Sequence, residues 1–202
     1  VSNLNLMLFT ALSASASAKK TMEKTPTLAN LPGTLSAEAE KKTATVAIAV
    51  AVLLAVIDQL TKFMVVRSFH LGEQHPVIPG FFNLTYVTNK GAAWGLFAGY
   101  GWLLLLVSIV VLGAILFRLR RLTEGWRERY FALFLVISGI VGNSIDRLWR
   151  KEVVDFLDFQ FGSYHWPAFN VADSAITVGV ALYILSLLWR PENKPEPVLE
   201  KS

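Results

Sequence analysis

The sequence predicts an all-α membrane protein of four transmembrane helices, with small β-hairpin elements on its extracytoplasmic side. Three observations predict it. Of 202 residues, 53% are hydrophobic and only 17% are charged, against about 25% charged in an ordinary soluble domain. The apolar residues gather in four runs of roughly 18–22 residues, enough to cross a hydrocarbon core of about 30 Å. The basic residues collect at the ends of those runs, where membrane proteins carry their topology signals.

Residues 1–42 stand apart. They are rich in Ala, Ser, Thr, Lys and Pro, show no repeating apolar face, and are expected to form a disordered N-terminal extension. Within them, 5–18 has the outline of a signal-peptide core but lacks a basic start. The four-helix domain is expected over 43–190. Its first span, 43–66, carries Asp58, Gln59 and Lys62 near its end. The second, 99–117, is dominated by Leu and Val. The third, 130–149, contains Gly139, Gly142, Asn143, Asp146 and Arg147. The fourth, 170–189, has Asp173 near its start. Trp102, Trp149, Trp166 and Trp189 fall at or near span ends, as an aromatic belt places them. The tail 191–202 contains Pro191, Pro195 and Pro197 with mixed charge and reads as disordered.

The connections set the orientation. Between the second and third spans, Arg118, Arg120, Arg121, Arg127 and Arg129 outweigh Glu124 and Glu128. Such a short basic loop belongs in the cytoplasm. Lys41 and Lys42 before the first span agree, as do Arg190 and Lys194 after the last, so both termini are expected inside. Segments 67–98 and 150–169 then lie outside. In them, 77–88 mixes β-formers with Pro79-Gly80, and 153–159 alternates weakly before Gly162-Ser163. Both read as hairpins.

The net charge of +4 does not indicate nucleic acid. The basic residues flank spans and form no stripe interleaved with aromatics, which points to topology and anionic-lipid contact instead. The chain has no cysteine, which excludes disulfides and thiolate chemistry. His70, His75 and His165 lack the i, i+4 spacing of a helical zinc site. No metal and no cofactor is expected. Ser144, Ser163 and Ser174 have no His or Lys base at a fixed spacing, so a serine mechanism has little support.

A charge within the bilayer costs at least about 2.5–3.5 kcal/mol and usually marks function. Asp58, Asp146 and Asp173 all fall at the predicted outer ends of their spans, and Asp155 lies on the outer connection. Four carboxylates can thus converge at one depth. Two carboxylates held close share one proton, which suits water activation and leaving-group protonation. Structural roles stand beside this reading. Asp58 can pair with Lys62 on the same helical face. Asp146 and Arg147 can form a fixed ion pair at a helix end, and Asp158 reads as an exposed hairpin residue. Asn89, Asn143 and Asn170 can be turn or cap residues, Asn170 sitting where an N-cap would. A proton-relay transporter is the rival class, but it needs polar residues through the full depth, whereas here they crowd at one end.

These residues come in blocks. Asp58-Gln59-Leu60-Thr61-Lys62 resembles the D-Q-x-x-K element of the lipoprotein signal peptidase (signal peptidase II) family. Asn89-Lys90-Gly91-Ala92-Ala93-Trp94-Gly95 is similar to that family's N-x-G-A-A-F-G, with Trp94 in place of Phe. Gly142-Asn143-Ser144-Ile145-Asp146-Arg147 resembles G-N-x-x-D-R, Val153-Val154-Asp155-Phe156 resembles V-V-D-F, and Phe169-Asn170-Val171-Ala172-Asp173-Ser174 resembles F-N-x-A-D-S. Five blocks in order cover about 43–190; the extension 1–42 has no counterpart in the resemblance.

The resemblance implies a membrane aspartyl endopeptidase of the bacterial cytoplasmic (inner) membrane. It implies cleavage of diacylglyceryl-modified prolipoproteins just before the lipid-bearing cysteine, by a monomer whose active site lies at the extracytoplasmic face. Its catalytic pair would be Asp155 and Asp173, with Asp146 in place of Asp155 as the alternative. Asn89, Gly91, Asn143, Arg147 and Asn170 would line the site and hold substrate. Asp58, Lys62 and Asp146 would support it.

Overall fold

The computed structural model describes residues 35–91, 96–97 and 99–190. The expectations for 1–34, for 92–95 including Trp94, and for the tail 191–202 lie outside the described residues. Helix α1 (Ala37–Ser68) opens on Ser36, whose hydroxyl accepts from the Ala39 N–H at 3.3 Å. Glu38 and Glu40 occupy its first turn, where the helix dipole favours negative charge. These polar residues start the helix at Ala37, before the apolar run that marked the span at 43, so 37–42 are helical and not part of the expected disordered extension.

Strands β1 (Gln74–Ile78) and β2 (Phe82–Asn89) follow as a hairpin. Its turn uses Gly80 at φ +77°, a conformation that costs glycine nothing. Next come α2 (Gly101–Phe117), the short α3 (Leu119–Thr123) and α4 (Arg127–Trp149). Strands β3 (Val153–Phe161) and β4 (Tyr164–His165) turn at Gly162, and α5 (Val171–Trp189) ends the described chain. The two expected hairpins are one structure. β2 pairs antiparallel with β3, giving a four-stranded sheet in the order β1-β2-β3-β4. Val87 stands opposite Asp155 and Asn89 opposite Val153.

Helices α1, α4 and α5 are long and apolar enough to cross a membrane. Helix α2 is apolar throughout but has 17 residues, about 25 Å at 1.5 Å per residue. Three spans and one shorter apolar helix thus stand where four spans were expected. The bundle is apolar on the outside: Val52, Leu53, Met64, Ile109, Val110 and Leu188 are all exposed. This is the surface a lipid solvent requires, with backbone polar groups paired inside the helices.

Small residues let α4 and α5 approach closely. A Cβ on Gly139 would stand 2.2 Å from the Ala172 carbonyl oxygen, and one on Gly179 would stand 2.6 Å from that of Ala132. Each glycine therefore faces an alanine backbone on the other helix, the small-residue contact through which membrane helices associate. Helix α1 joins α4 through Ala47, Ala51, Tyr130 and Phe134.

Gly139→Ala is expected to lower stability by about 1–3 kcal/mol, because the helices must separate to admit the methyl group. Gly113 on α2 has nothing within 4 Å of its would-be Cβ. Gly113→Ala is therefore expected to be neutral or stabilising by up to about 1 kcal/mol. Thermal unfolding of both variants in detergent checks the contrast.

Candidate active site

Asp58 and Lys62 lie one helical turn apart on α1, and neither side chain is more than 1% exposed. The Lys62 ammonium is 2.9 Å from Asp58 Oδ2, 3.0 Å from Asp146 Oδ2 and 3.0 Å from Asn143 Oδ1. Its three protons thus meet three acceptors, two of them on α4. The second oxygen of Asp58 accepts the Ala172 N–H at 2.9 Å, which ties α1 to the first turn of α5. Gly142 leaves room for that carboxylate, since a Cβ there would stand 2.6 Å from Asp58 Oδ2.

Asp146 has no exposed surface and is saturated as well. Besides Lys62, it accepts from Arg150 Nη1 at 2.5 Å and from the Val154 N–H at 3.2 Å. The expected ion pair between Asp146 and Arg147 is not formed. Residues i and i+1 of a helix point in different directions, whereas i and i+4 share a face. Arg150 is therefore the partner, and Arg147 turns elsewhere. Its guanidinium donates to the Gly91 carbonyl at 3.1 Å and lies within Coulombic range of Asp173, Asp155 and Asp146.

Two asparagines carry the network to the remaining carboxylates. Asn143 Oδ1 accepts from Lys62, and its Nδ2 donates to Asp173 Oδ1 at 2.7 Å. Asn170 is the N-cap of α5. Its side chain accepts the Asp173 N–H at 2.9 Å, and Asp173 returns a contact to the Asn170 N–H at 3.3 Å, forming a capping box. The same Asn170 Nδ2 donates to Asp155 Oδ1 at 2.7 Å. Asp155 and Asp173 therefore flank one asparagine pair. Asn89 also bonds the Asp155 carboxylate, and its own Oδ1 accepts the Gly91 N–H at 2.9 Å.

Asp155 is buried on β3, and its carboxyl is pushed up to about 7. Burial is the larger cause and the Asp173 charge the second; the bonds from Asn170 and Asn89 and the charge of Lys62 oppose them. Asn89, Asn143, Arg147, Asp155 and Asp173 line one cavity of about 530 Å³. Its remaining wall is largely apolar and includes Phe169, Ile176 and Val178. All ten residues marked in the sequence thus belong to one contiguous network.

Two features escaped the sequence. Arg150 was not marked, although its i, i+4 spacing from Asp146 was a usable signal. Asp158 is not an exposed hairpin residue. It is buried and accepts from Gln74 Nε2 at 2.6 Å, Asn83 Nδ2 at 2.9 Å and His165 Nδ1 at 3.0 Å. Pairing of β2 with β3 sets Asn83 opposite it, and β1 and β4 bring the others.

The model of the family described as signal peptidase (SPase) II matches residues 50–189. The lipoprotein signal peptidase of Bacillus pumilus is 43% identical over 141 residues, covering 69% of this chain and 90% of the relative. That of Geobacter sulfurreducens is 46% identical over 145 residues, covering 70% and 90%. A solved bacterial membrane enzyme superposes with a TM-score of 0.69 at 37% identity, over 75% of this chain and 93% of its own.

Lys62→Met is expected to destabilise the protein by about 3–5 kcal/mol, because it strands two buried carboxylates. The exposed Lys151→Met should change stability by no more than about 0.5 kcal/mol. Chemical or thermal unfolding in one detergent compares the two.

Proposed function

The chain belongs to the signal peptidase II family, and on that premise we propose that Asp155 and Asp173 cleave signal peptides from diacylglyceryl-modified prolipoproteins. It is an aspartyl endopeptidase and a multi-pass membrane protein that removes signal peptides from prolipoproteins. The observation that carries the dyad is a charge balance. Asp58, Asp146, Asp155 and Asp173 share their network with three cations, Lys62, Arg147 and Arg150. One retained proton brings the set to neutrality. Asp58 and Asp146 have both oxygens committed to ammonium, guanidinium or backbone donors. Asp155 and Asp173 face the cavity, so the proton and the chemistry belong to them.

In this mechanism the ionised member of the pair takes a proton from water, which attacks the scissile carbonyl. The protonated member donates to the leaving nitrogen. Asn143 and Asn170 fix the two carboxylates relative to one another, and the Arg147 charge stabilises the negative charge that develops beside them. The apolar wall with Ile176 and Val178 accepts the residues around the cut while the acyl chains stay in the bilayer.

Helix α2 completes the set as a fourth span, at the short end of the usual range. Both termini then lie in the cytoplasm, and the sheet and the dyad lie at the extracytoplasmic face of the inner membrane. The enzyme works as a monomer, with nucleic acid playing no part.

The test is cleavage of a diacylglyceryl-modified prolipoprotein by the purified protein in lipid. Asp155→Asn and Asp173→Asn should each lose about 10²–10⁴-fold in kcat while remaining folded. Full activity in Asp155→Asn together with loss in Asp146→Asn would move the pair to Asp146. The rate should fall as pH rises through about 7, where Asp155 gives up the shared proton, and fall again in acid, where both carboxylates are protonated. A rate that keeps rising up to pH 9 would rule out a shared proton.

A further inference from the structure

At the end of the bundle away from the dyad, the acidic side chains among the described residues are committed within the protein. Glu38 pairs with Lys42 at 2.8 Å, and Glu40 accepts from the Tyr130 hydroxyl. Glu124 meets Arg129 at 2.8 Å, and Glu128 meets Arg190 at 2.8 Å. The start of α1 belongs to the same end, because the Leu35 N–H donates to the Gly125 carbonyl at 3.1 Å. Arg118, Arg120, Arg121 and Arg127 are exposed and have no acidic partner among the described residues. Sequence alone counts Glu124 and Glu128 against these arginines. In the fold both glutamates turn toward Arg129 and Arg190, and the cluster of four is left without counter-charge among the described residues.

The depth of the cluster identifies its counter-ion. Phe117, directly before Arg118, is 89% exposed, and Trp189, directly before Arg190, is 76% exposed. Bare aromatic rings at the ends of apolar helices mark the hydrocarbon boundary, so the arginines stand at the level of lipid headgroups. We propose that Arg118, Arg120, Arg121 and Arg127 form a binding surface for anionic phospholipid headgroups of the surrounding bilayer. Guanidinium groups match phosphate oxygens in bidentate geometry. Each basic side chain near a charged leaflet strengthens such attraction about fivefold.

Electron spin resonance of spin-labelled lipids tests this with the full chain in phosphatidylcholine vesicles. Labelled phosphatidylglycerol should be retained at the protein surface roughly threefold over labelled phosphatidylcholine, and high salt should weaken the preference. The variant R118Q/R120Q/R121Q/R127Q should lose it. R67Q/K151Q, at the opposite end, should keep it. Equal retention of the two labels by the wild-type protein overturns the proposal without recourse to any variant. So does a preference that survives in the quadruple variant while that variant still cleaves prolipoprotein. Polyglutamate that binds the wild-type protein through these arginines and displaces no phosphatidylglycerol assigns the surface to an acidic polypeptide and likewise overturns it.

Discussion

A lysine ammonium with no exposed surface must find three acceptors and compensating negative charge within the protein, or it cannot stay charged. Lys62 finds them on two helices, and each acceptor extends the constraint further. Asp58 reaches from α1 to the backbone of α5. Asp146 reaches to Arg150 and to the first strand residues of β3. Asn143 reaches to Asp173 and, through Asn170, to Asp155. One buried cation thus fixes α1, α4, α5 and β3 relative to one another. Asp173 sits two hydrogen bonds from the ammonium and Asp155 three.

The parts of this architecture that follow local rules were legible in the sequence. A bilayer imposes a minimum apolar length, so the runs containing α1, α4 and α5 could be located without a structure. The N-cap at Asn170 and the Asp58–Lys62 pair depend on residues three or four positions apart, and both stand where the spacing put them. Pro79-Gly80 and Gly162-Ser163 mark the hairpin turns for the same reason. What remained hidden joins segments distant in the chain. The pairing of β2 with β3 carries no sequence signal of register. The Ala172 N–H that holds Asp58 is a backbone donor, which no side chain announces. Asp158 looks like a surface residue until Gln74, Asn83 and His165 arrive from three other strands. Arg147 misled because proximity along the chain is not proximity on a helix.

The site also divides labour between kinds of scaffold. Asp173 belongs to the first turn of a helix and is held by its own cap, while Asp155 comes from a strand that the sheet aligns. Asp58 and Asp146 are buried against Lys62, whereas Asp155 and Asp173 line the cavity.

The pairing of charges within single helices bears on biogenesis. Asp58 and Lys62 neutralise one another inside α1, and Asp146 on α4 pairs with Arg150 at that helix's C-cap. Each of those segments carries its own counter-charge when it leaves the insertion machinery and meets lipid, before any partner helix is beside it. Helix α5 brings Asp173 with no cation of its own, and its carboxylate finds Asn143 only on the assembled bundle. Of the described helices that hold these carboxylates, α5 is therefore the one that needs the others already in place.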